Sequence, residues 1–196
     1  MSLFKKPYFM RSGVERFRDL LEAQIGQRCE IYRHPSTNKK LPAVFVLLFK
    51  NFPDRDYMTA YSYGLSAAKG SAEISAGREL VIQIRSNLDN WGHVLGFLIS
   101  HLRNDCPFDP GQIIRFGQPI AADSTMEHFL VHDVEDKLGT SATFNLSKSY
   151  GVALVQLSPI FAEELSTIQK MGWSDFYAKL KATKEHVNRK PIGAYK

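Results

Sequence analysis

Hydrophobic residues recur at helical spacing near the start of the chain, just after a polar segment. Ser12 followed by Glu15 is a capping-box pattern, and Gly26 is suited to end a helix. The pattern predicts a helix over about residues 12–26 that packs one apolar face on a sheet. The residues of this face are Val14, Phe17, Leu21 and Ile25.

Runs of aliphatic and aromatic residues predict the strands of that sheet. Residues 43–49 are unbroken apolar, which suits a strand covered on both faces. Residues 57–63 alternate, with tyrosine or threonine on one face and Met58, Ala60 and Ser62 on the other, which predicts a half-covered strand. Further strands are predicted at 28–33, 79–85, 112–116, 126–132 and 152–157.

Three more helices are predicted. Residues 89–104 carry so wide an apolar surface that this helix is expected to be buried. A last short helix is expected from Ser174 onward. Between them, Ser158 and Pro159 match the N-cap and first position of a helix that ends at Gly172. The positive N-terminal end of this helix would attract Glu163 and Glu164.

The order of these elements predicts an α/β fold of the α+β type. We expect a mixed, largely antiparallel β-sheet flanked by helices, in one compact domain over residues 1–196. The N-terminal helix 12–26 and a basic helix and tail at 174–196 would extend it. Residues 69–77 and 133–149 are polar and predict loops.

Composition agrees with an ordinary globular protein, since 44% of the residues are hydrophobic and 23% are charged. Only Cys29 and Cys106 are present, which suggests reduced thiols. Neither a signal peptide nor a membrane-spanning segment is recognisable, so we expect a cytoplasmic location and no membrane partner.

The formal net charge is +5, and the residues from Lys179 onward account for all of it, because they include six basic residues and one acidic residue. The remaining body is neutral. A nucleic-acid-binding protein is expected to carry a basic face on its folded body. The pattern therefore predicts a solvated tail, and a nucleic-acid partner is not expected.

His128 and His132, beside Glu127 and Asp133, are the nearest approach to a metal cluster. On a helix the two imidazoles could share one ion, which would suit a metal-dependent hydrolase. On a strand they lie about 13 Å apart, too far for one ion. Because the flanking residues favour a strand, no catalytic residue, metal or cofactor is predicted, and the hydrolase is kept as an alternative.

Partner recognition is better placed on the loops, because loops on a rigid scaffold often carry binding residues. The tyrosines of residues 57–63 could offer a stacking platform, but such a stripe more often faces the core. The candidate partner-binding residues share a charged side chain in or beside a polar loop and are Lys69, Glu73, Arg78, Asp133, Glu135 and Lys137.

Several segments together resemble the suppressor of fused-like domain family over about residues 40–180. None is specific alone, and their order and spacing carry the resemblance. The matching segments are Tyr63-Gly64-Leu65-Ser66, residues 75–84 (SAGRELVIQI), Trp91 with Leu95 and Leu98, residues 155–157 with Ile160, and Glu163-Glu164-Leu165.

The resemblance implies a β-sheet flanked by helices and no catalytic activity. Animal members of the family are negative regulators that bind a transcription factor through a strand held between two domains. Stand-alone bacterial relatives of this size are similar to immunity proteins, which neutralise a toxin of a polymorphic toxin system. Since this chain shows no second peptide-clamping domain, an immunity protein is expected, with a regulatory adaptor as the alternative.

The charge distribution bears on the partner that the resemblance implies. Inhibitors of nuclease toxins are expected to be acidic, because they face a phosphate-binding site. A neutral body with a basic tail lacks this feature. We therefore expect a protein partner that is a toxin other than a nuclease, bound by a monomer or weak homodimer.

Overall fold

A computed structural model describes residues 10–36, 38, 40–66, 77–134, 140, 142–147, 150–183 and 186–193. Within these residues eight strands form one mixed sheet flanked by four helices, which confirms the predicted fold class. The helices are α1 (Gly13–Ile25), α2 (Asn90–Leu102), α3 (Glu164–Met171) and α4 (Trp173–Lys181). The strands are β1 (Glu30–His34), β2 (Val44–Lys50), β3 (Tyr57–Tyr63), β4 (Arg78–Arg85), β5 (Ile113–Arg115), β6 (His128–Asp133), β7 (Thr143–Ser147) and β8 (Tyr150–Ile160).

The strands lie in the order β1-β2-β3-β4-β8-β6-β5, and β7 also pairs with β8. The pair β4–β8 is parallel, and the other pairs among the described strands are antiparallel. On one side of β8, β6 ends opposite Val155 and β7 begins opposite Ala153. These two strands therefore act as one long strand interrupted by residues 134–142.

Helices cover both faces of the sheet. The largest apolar cluster lies between one face and α2, and includes Leu48, Ile82 and Trp91. On the other face, Phe17 and Leu21 of α1 pack over the middle strands. Phe176 and Leu180 of α4 pack over β6 beside them. The central strands are therefore buried on both sides, which explains the unbroken apolar run of β2.

The capping box of α1 is confirmed. The Ser12 hydroxyl accepts a hydrogen bond from the Glu15 backbone N–H, and the Glu15 carboxylate accepts one from the Ser12 N–H. Gly26 ends the helix with φ 76°, a left-handed conformation that glycine adopts at little cost.

The prediction that Ser158 and Pro159 begin a helix is wrong. Both belong to β8, which continues to Ile160 and pairs with β6, while α3 begins at Glu164. The pairing of β8 with β4 stops at Gln156, so these last residues have a paired strand on one side. A proline is tolerated there because it need not donate to a second strand.

Two smaller expectations also change, and a third is confirmed. The segment 133–149 contains β7 and is not wholly a loop. The strand β3 is covered on both faces, since its residues from Met58 to Ser62 are all buried. Tyr61 is fully buried and packs edge-on against Phe49 at 5.8 Å, as the core interpretation of the tyrosine stripe predicts.

Part of the predicted solvated tail is packed on the body, although several of its basic residues are exposed. Val187 belongs to the main apolar cluster, and its carbonyl accepts a hydrogen bond from the Ser124 hydroxyl at 3.0 Å. Arg189 is buried against Glu164. Glu164 is therefore the partner of a buried cation, beyond its place in the first turn of α3.

Candidate functional site

The connections that contain the candidate partner-binding residues leave the strands at one end of the sheet. β1 ends and β2 begins there, since His34 pairs with Val44. The end of β3, the start of β4 and the end of β6 lie at the same end, as the registers of these strands show. We call this surface the loop end and define it by residues 36, 40–43, 64–66, 77–78 and 133–134.

A buried carboxylate anchors the loop end. Glu79, the second residue of β4, is 0% exposed, and five hydrogen bonds reach its two oxygens. The Ser62 and Ser66 hydroxyls each donate at 2.6 Å. The backbone N–H groups of Gly64, Leu65 and Ser66 donate at 2.8, 3.4 and 3.0 Å. Glu79 therefore fixes the backbone where the chain leaves β3.

Burial raises the pKa of Glu79, and the hydrogen bonds from Ser62, Ser66 and the backbone act in the opposite direction. The network continues outward, because the Ser66 hydroxyl lies 2.6 Å from the Tyr150 hydroxyl at the start of β8. Burial also raises the pKa of Tyr150. Three strands are thus joined by polar contacts with little access to water.

Arg103, just after α2, is the second buried anchor. Its Nη1 donates to the carbonyl oxygens of Pro42 at 2.9 Å and Gly64 at 3.3 Å, and its Nη2 donates to the Ser36 hydroxyl at 2.6 Å. Arg103 as a whole residue is 1% exposed. One guanidinium thus ties together the β1–β2 connection, the turn after β3 and the end of α2.

Gly64 permits the close approach of these segments. Its φ is 138°, and an added Cβ would lie 3.0 Å from the Ala43 carbonyl oxygen and from Val44 Cα. Because both are backbone atoms, they could not move aside cheaply. A larger residue would separate the turn after β3 from the start of β2.

Two of the candidate partner-binding residues lie within the described chain. Arg78 donates to the Pro107 carbonyl at 3.0 Å and pairs with the Asp109 carboxylate at 2.5 Å. Asp133 is exposed at the end of β6. They flank β8, opposite Ala153 and Val155 respectively, so the fold brings them to one surface. Lys69, Glu73, Glu135 and Lys137 lie outside the described residues.

The structure also locates the two histidines of the alternative hydrolase site. His128 and His132 lie on β6, as the strand prediction requires. The described residues contain no group of three His, Cys, Asp or Glu side chains that could hold a metal ion. Glu127 Oε1 lies 3.9 Å from His128 Nε2.

His132 forms a pair that the sequence did not suggest. Its Nε2 lies 2.8 Å from the Ser158 hydroxyl, and its Nδ1 lies 2.8 Å from the Asp133 carbonyl oxygen. A serine–histidine contact can activate a nucleophile. Here both side chains are 1% exposed, and the Tyr177 ring lies over the imidazole at 3.9 Å. The pair is therefore a buried contact between β6, β8 and α4.

The anchors themselves were not predicted as a site. The sequence places Glu79 in a predicted strand and Arg103 near the end of a predicted helix, and it marks neither as a site residue. The available signals were a carboxylate next to the apolar run of β4 and an arginine after a buried helix. Their partners are backbone groups from distant segments, which sequence spacing does not reveal.

The family model of suppressor of fused protein (SUFU) matches residues 40–189. The chain belongs to the suppressor of fused family. The matched span contains Glu79 and Arg103 and ends at Arg189, the buried partner of Glu164. Comparison with curated protein sequences gives no significant match.

Solved structures of this family share the fold. The chain is similar to a SUFU homologue from Neisseria gonorrhoeae, with a TM-score of 0.63 and 16% identity over 93% of this chain and 97% of that chain. It is similar to a chain of the Sufu–Fu complex, with a TM-score of 0.66 and 12% identity over 91% of each chain.

Drosophila Suppressor of Fused gives a TM-score of 0.66 and 12% identity, over 91% of this chain and 50% of that chain. The chain thus spans about half of the Drosophila protein.

A further structural finding concerns membranes. Among the described helices, none combines the length and apolar character needed to cross a bilayer.

Proposed function

We propose that this chain is a non-catalytic protein-binding domain that contacts its partner through the loop end, and that the partner is a toxin which it neutralises. The observation that carries the proposal is the double anchoring of the loop end. Glu79 and Arg103 fix the backbone at the bases of separate connections. A rigid base lowers the entropy that loops lose when they bind a partner.

The comparisons support the two parts of this proposal differently. In the Sufu–Fu complex, Sufu is bound to Fu, which supports a binding role for the fold. The gonococcal homologue supports a bacterial form of this size, since the match spans 97% of its chain. The toxin as partner rests on the resemblance to stand-alone bacterial immunity proteins.

The charge distribution of the chain limits the class of toxin that we propose. The basic excess lies at the C-terminus, and its residue Arg189 is neutralised internally by Glu164. An acidic surface that would imitate phosphate for a nuclease is not apparent from the composition of the body. We therefore propose a toxin other than a nuclease. The free thiols Cys29 and Cys106 suit a cytoplasmic encounter with it.

Co-production with candidate toxins tests the proposal. The chain is produced together with each toxin encoded near it in the same genome, and cell growth and co-elution of the purified pair are measured. We expect one toxin to stop growth alone, to permit growth with this chain, and to form a stable complex.

A matched pair of variants tests the surface. The loop variant combines Lys69→Glu, Glu73→Lys, Glu135→Lys and Lys137→Glu, which leaves the net charge unchanged. The control combines Asp54→Lys and Arg55→Glu at the opposite end of the sheet, which also leaves the net charge unchanged. Both residues are exposed, the Arg55 side chain to 93%. We expect loss of protection with the loop variant and full protection with the control. Full protection by both variants would contradict the proposed surface.

The regulatory adaptor remains a second candidate because of the edge strand β1. Among the described strands, β1 pairs with β2 alone, so within the described residues it is an edge strand, the kind of strand to which a partner peptide can add. Strand addition would protect the backbone amides of β1 from hydrogen exchange. Loop contacts would protect the loop end.

A further inference from the structure

Two histidine side chains meet where the end of β1 lies against α2. His34 Nε2 lies 3.2 Å from His93 Nδ1, and the ring centroids are 5.3 Å apart. Both side chains are partly exposed, so solvent can reach the pair. The pair takes no part in the anchoring of the loop end by Glu79 and Arg103.

The helix is shaped to receive this pair. An added Cβ at Gly96 would lie 2.4 Å from His34 Cγ, so glycine allows the imidazole to lie directly against α2. The Tyr32 ring packs edge-on against His93 with centroids 4.4 Å apart. The Tyr32 hydroxyl donates to Glu30 at 2.5 Å. These contacts hold both imidazoles in place.

The separation of the two nitrogens suits a shared metal ion. Zinc binds histidine nitrogen at about 2.0–2.1 Å in a tetrahedron, which places neighbouring ligand nitrogens about 3.3 Å apart. The observed distance is 3.2 Å. We propose that His34 Nε2 and His93 Nδ1 form a binding site for a divalent metal ion of the zinc type, with water as the remaining ligands.

The two rings can change from a hydrogen bond to metal ligation by a change of tautomer. Without metal, one imidazole donates its N–H to the other. With metal, both facing nitrogens would present lone pairs, and each ring would carry its N–H on its other nitrogen.

The ligand set also limits the metal and its affinity. Imidazole suits Zn²⁺, Ni²⁺ and Cu²⁺, whereas Mg²⁺ prefers oxygen ligands. No third His, Cys, Asp or Glu of the described chain joins the pair in a metal-binding group. Two protein ligands predict a weaker site than a closed structural zinc centre. An ion bound there would link the edge strand β1 to α2, independently of partner binding.

Zinc titration of the tag-free chain tests the site. Calorimetry with Zn²⁺ is expected to show one ion per chain and, with Mg²⁺, no binding. His34→Gln and His93→Gln are each expected to weaken zinc binding by on the order of tenfold or more. Gly96→Ala is expected to act in the same direction by displacing His34. The control His101→Gln, on the exposed face of α2, is expected to bind as the original chain does.

Equal zinc affinity in the original chain and His34→Gln would overturn the proposal. A second measurement needs no substitution. Co²⁺ below one equivalent is added to the original chain, and the imidazole proton signals are followed by nuclear magnetic resonance. Broadening that begins at His34 and His93 is expected. Broadening that begins at His101 or His186 would overturn the assignment even if the variants failed to fold.

Discussion

Glu79 has no exposed surface, yet five protein donors point at its two carboxylate oxygens. An ionisable group is buried at high cost unless it is fully hydrogen-bonded. This network meets that requirement and fixes the positions of Gly64 and Ser66 at the loop end. Glu79, which in the sequence is an ordinary strand residue, therefore fixes the backbone of the candidate surface.

Glu79→Gln tests this organisation. A glutamine offers one acceptor oxygen and places an NH₂ group against donors, so we expect two of the five hydrogen bonds to be lost. The free energy of unfolding should fall by about 1–3 kcal/mol at pH 7, measured by urea denaturation. Glu30→Gln is the control, because the Glu30 side chain is 50% exposed, and its change should stay within about 0.5 kcal/mol.

An equal effect of Glu79→Gln and Glu30→Gln would contradict the anchoring role of Glu79. The sequence could not reveal this role, because Glu79 lies 13 to 17 residues along the chain from Ser66 and Ser62. Its partners become neighbours only when β3 pairs with β4. Arg103 is a stronger case, since Ser36 is 67 residues away.

At the scale of single elements, local signals predicted well where they acted alone. The capping box and Gly26 bracket α1, because those contacts lie within one helix. The same kind of signal failed at Ser158 and Pro159. Pairing with β6 across the register His128–Ile160 decided the conformation there, and that pairing is not visible in the local sequence.

The link between α3 and the C-terminal segment gives a prediction at this scale. Arg189 Nη1 and Nη2 contact Glu164 Oε1 and Oε2 at 2.5 and 2.7 Å, and both side chains are at most 4% exposed. The Glu164 carboxylate also accepts from the backbone N–H groups of Phe161 and Ile192. This carboxylate thus fastens the start of α3 to the C-terminal segment.

Arg189→Met should lower the free energy of unfolding by about 3–5 kcal/mol, because it leaves a buried carboxylate without its cation. Glu163→Gln is a matched control on the same turn, since Glu163 is exposed, and its change should be within about 0.5 kcal/mol. Thermal or urea unfolding measures both. A loss below about 1 kcal/mol for Arg189→Met would mean that the segment 186–193 contributes little to the fold.

At the scale of the whole molecule, helices on both sides of one mixed sheet leave the loop end as the place where separate connections meet. The sequence predicted the fold class and the family, because apolar periodicity and segment order carry that information. It predicted Arg78 and Asp133 as binding residues without showing that they flank the same strand, β8. That relation depends on the parallel pairing of β4 with β8, which joins residues about 75 positions apart.

Amide hydrogen exchange of the purified toxin complex tests the central claim most directly, since it requires no substitution. Exchange of each amide is compared between the free chain and the complex. We expect protection gained on binding to concentrate at the amides of residues 36, 40, 41, 43, 77, 78, 133 and 134, while residues 51–58 at the opposite end are unchanged. The amides of residues 64–66 already donate to the buried Glu79 in the free chain and should change little. Protection gained instead along β1, or at residues 51–58, would contradict it.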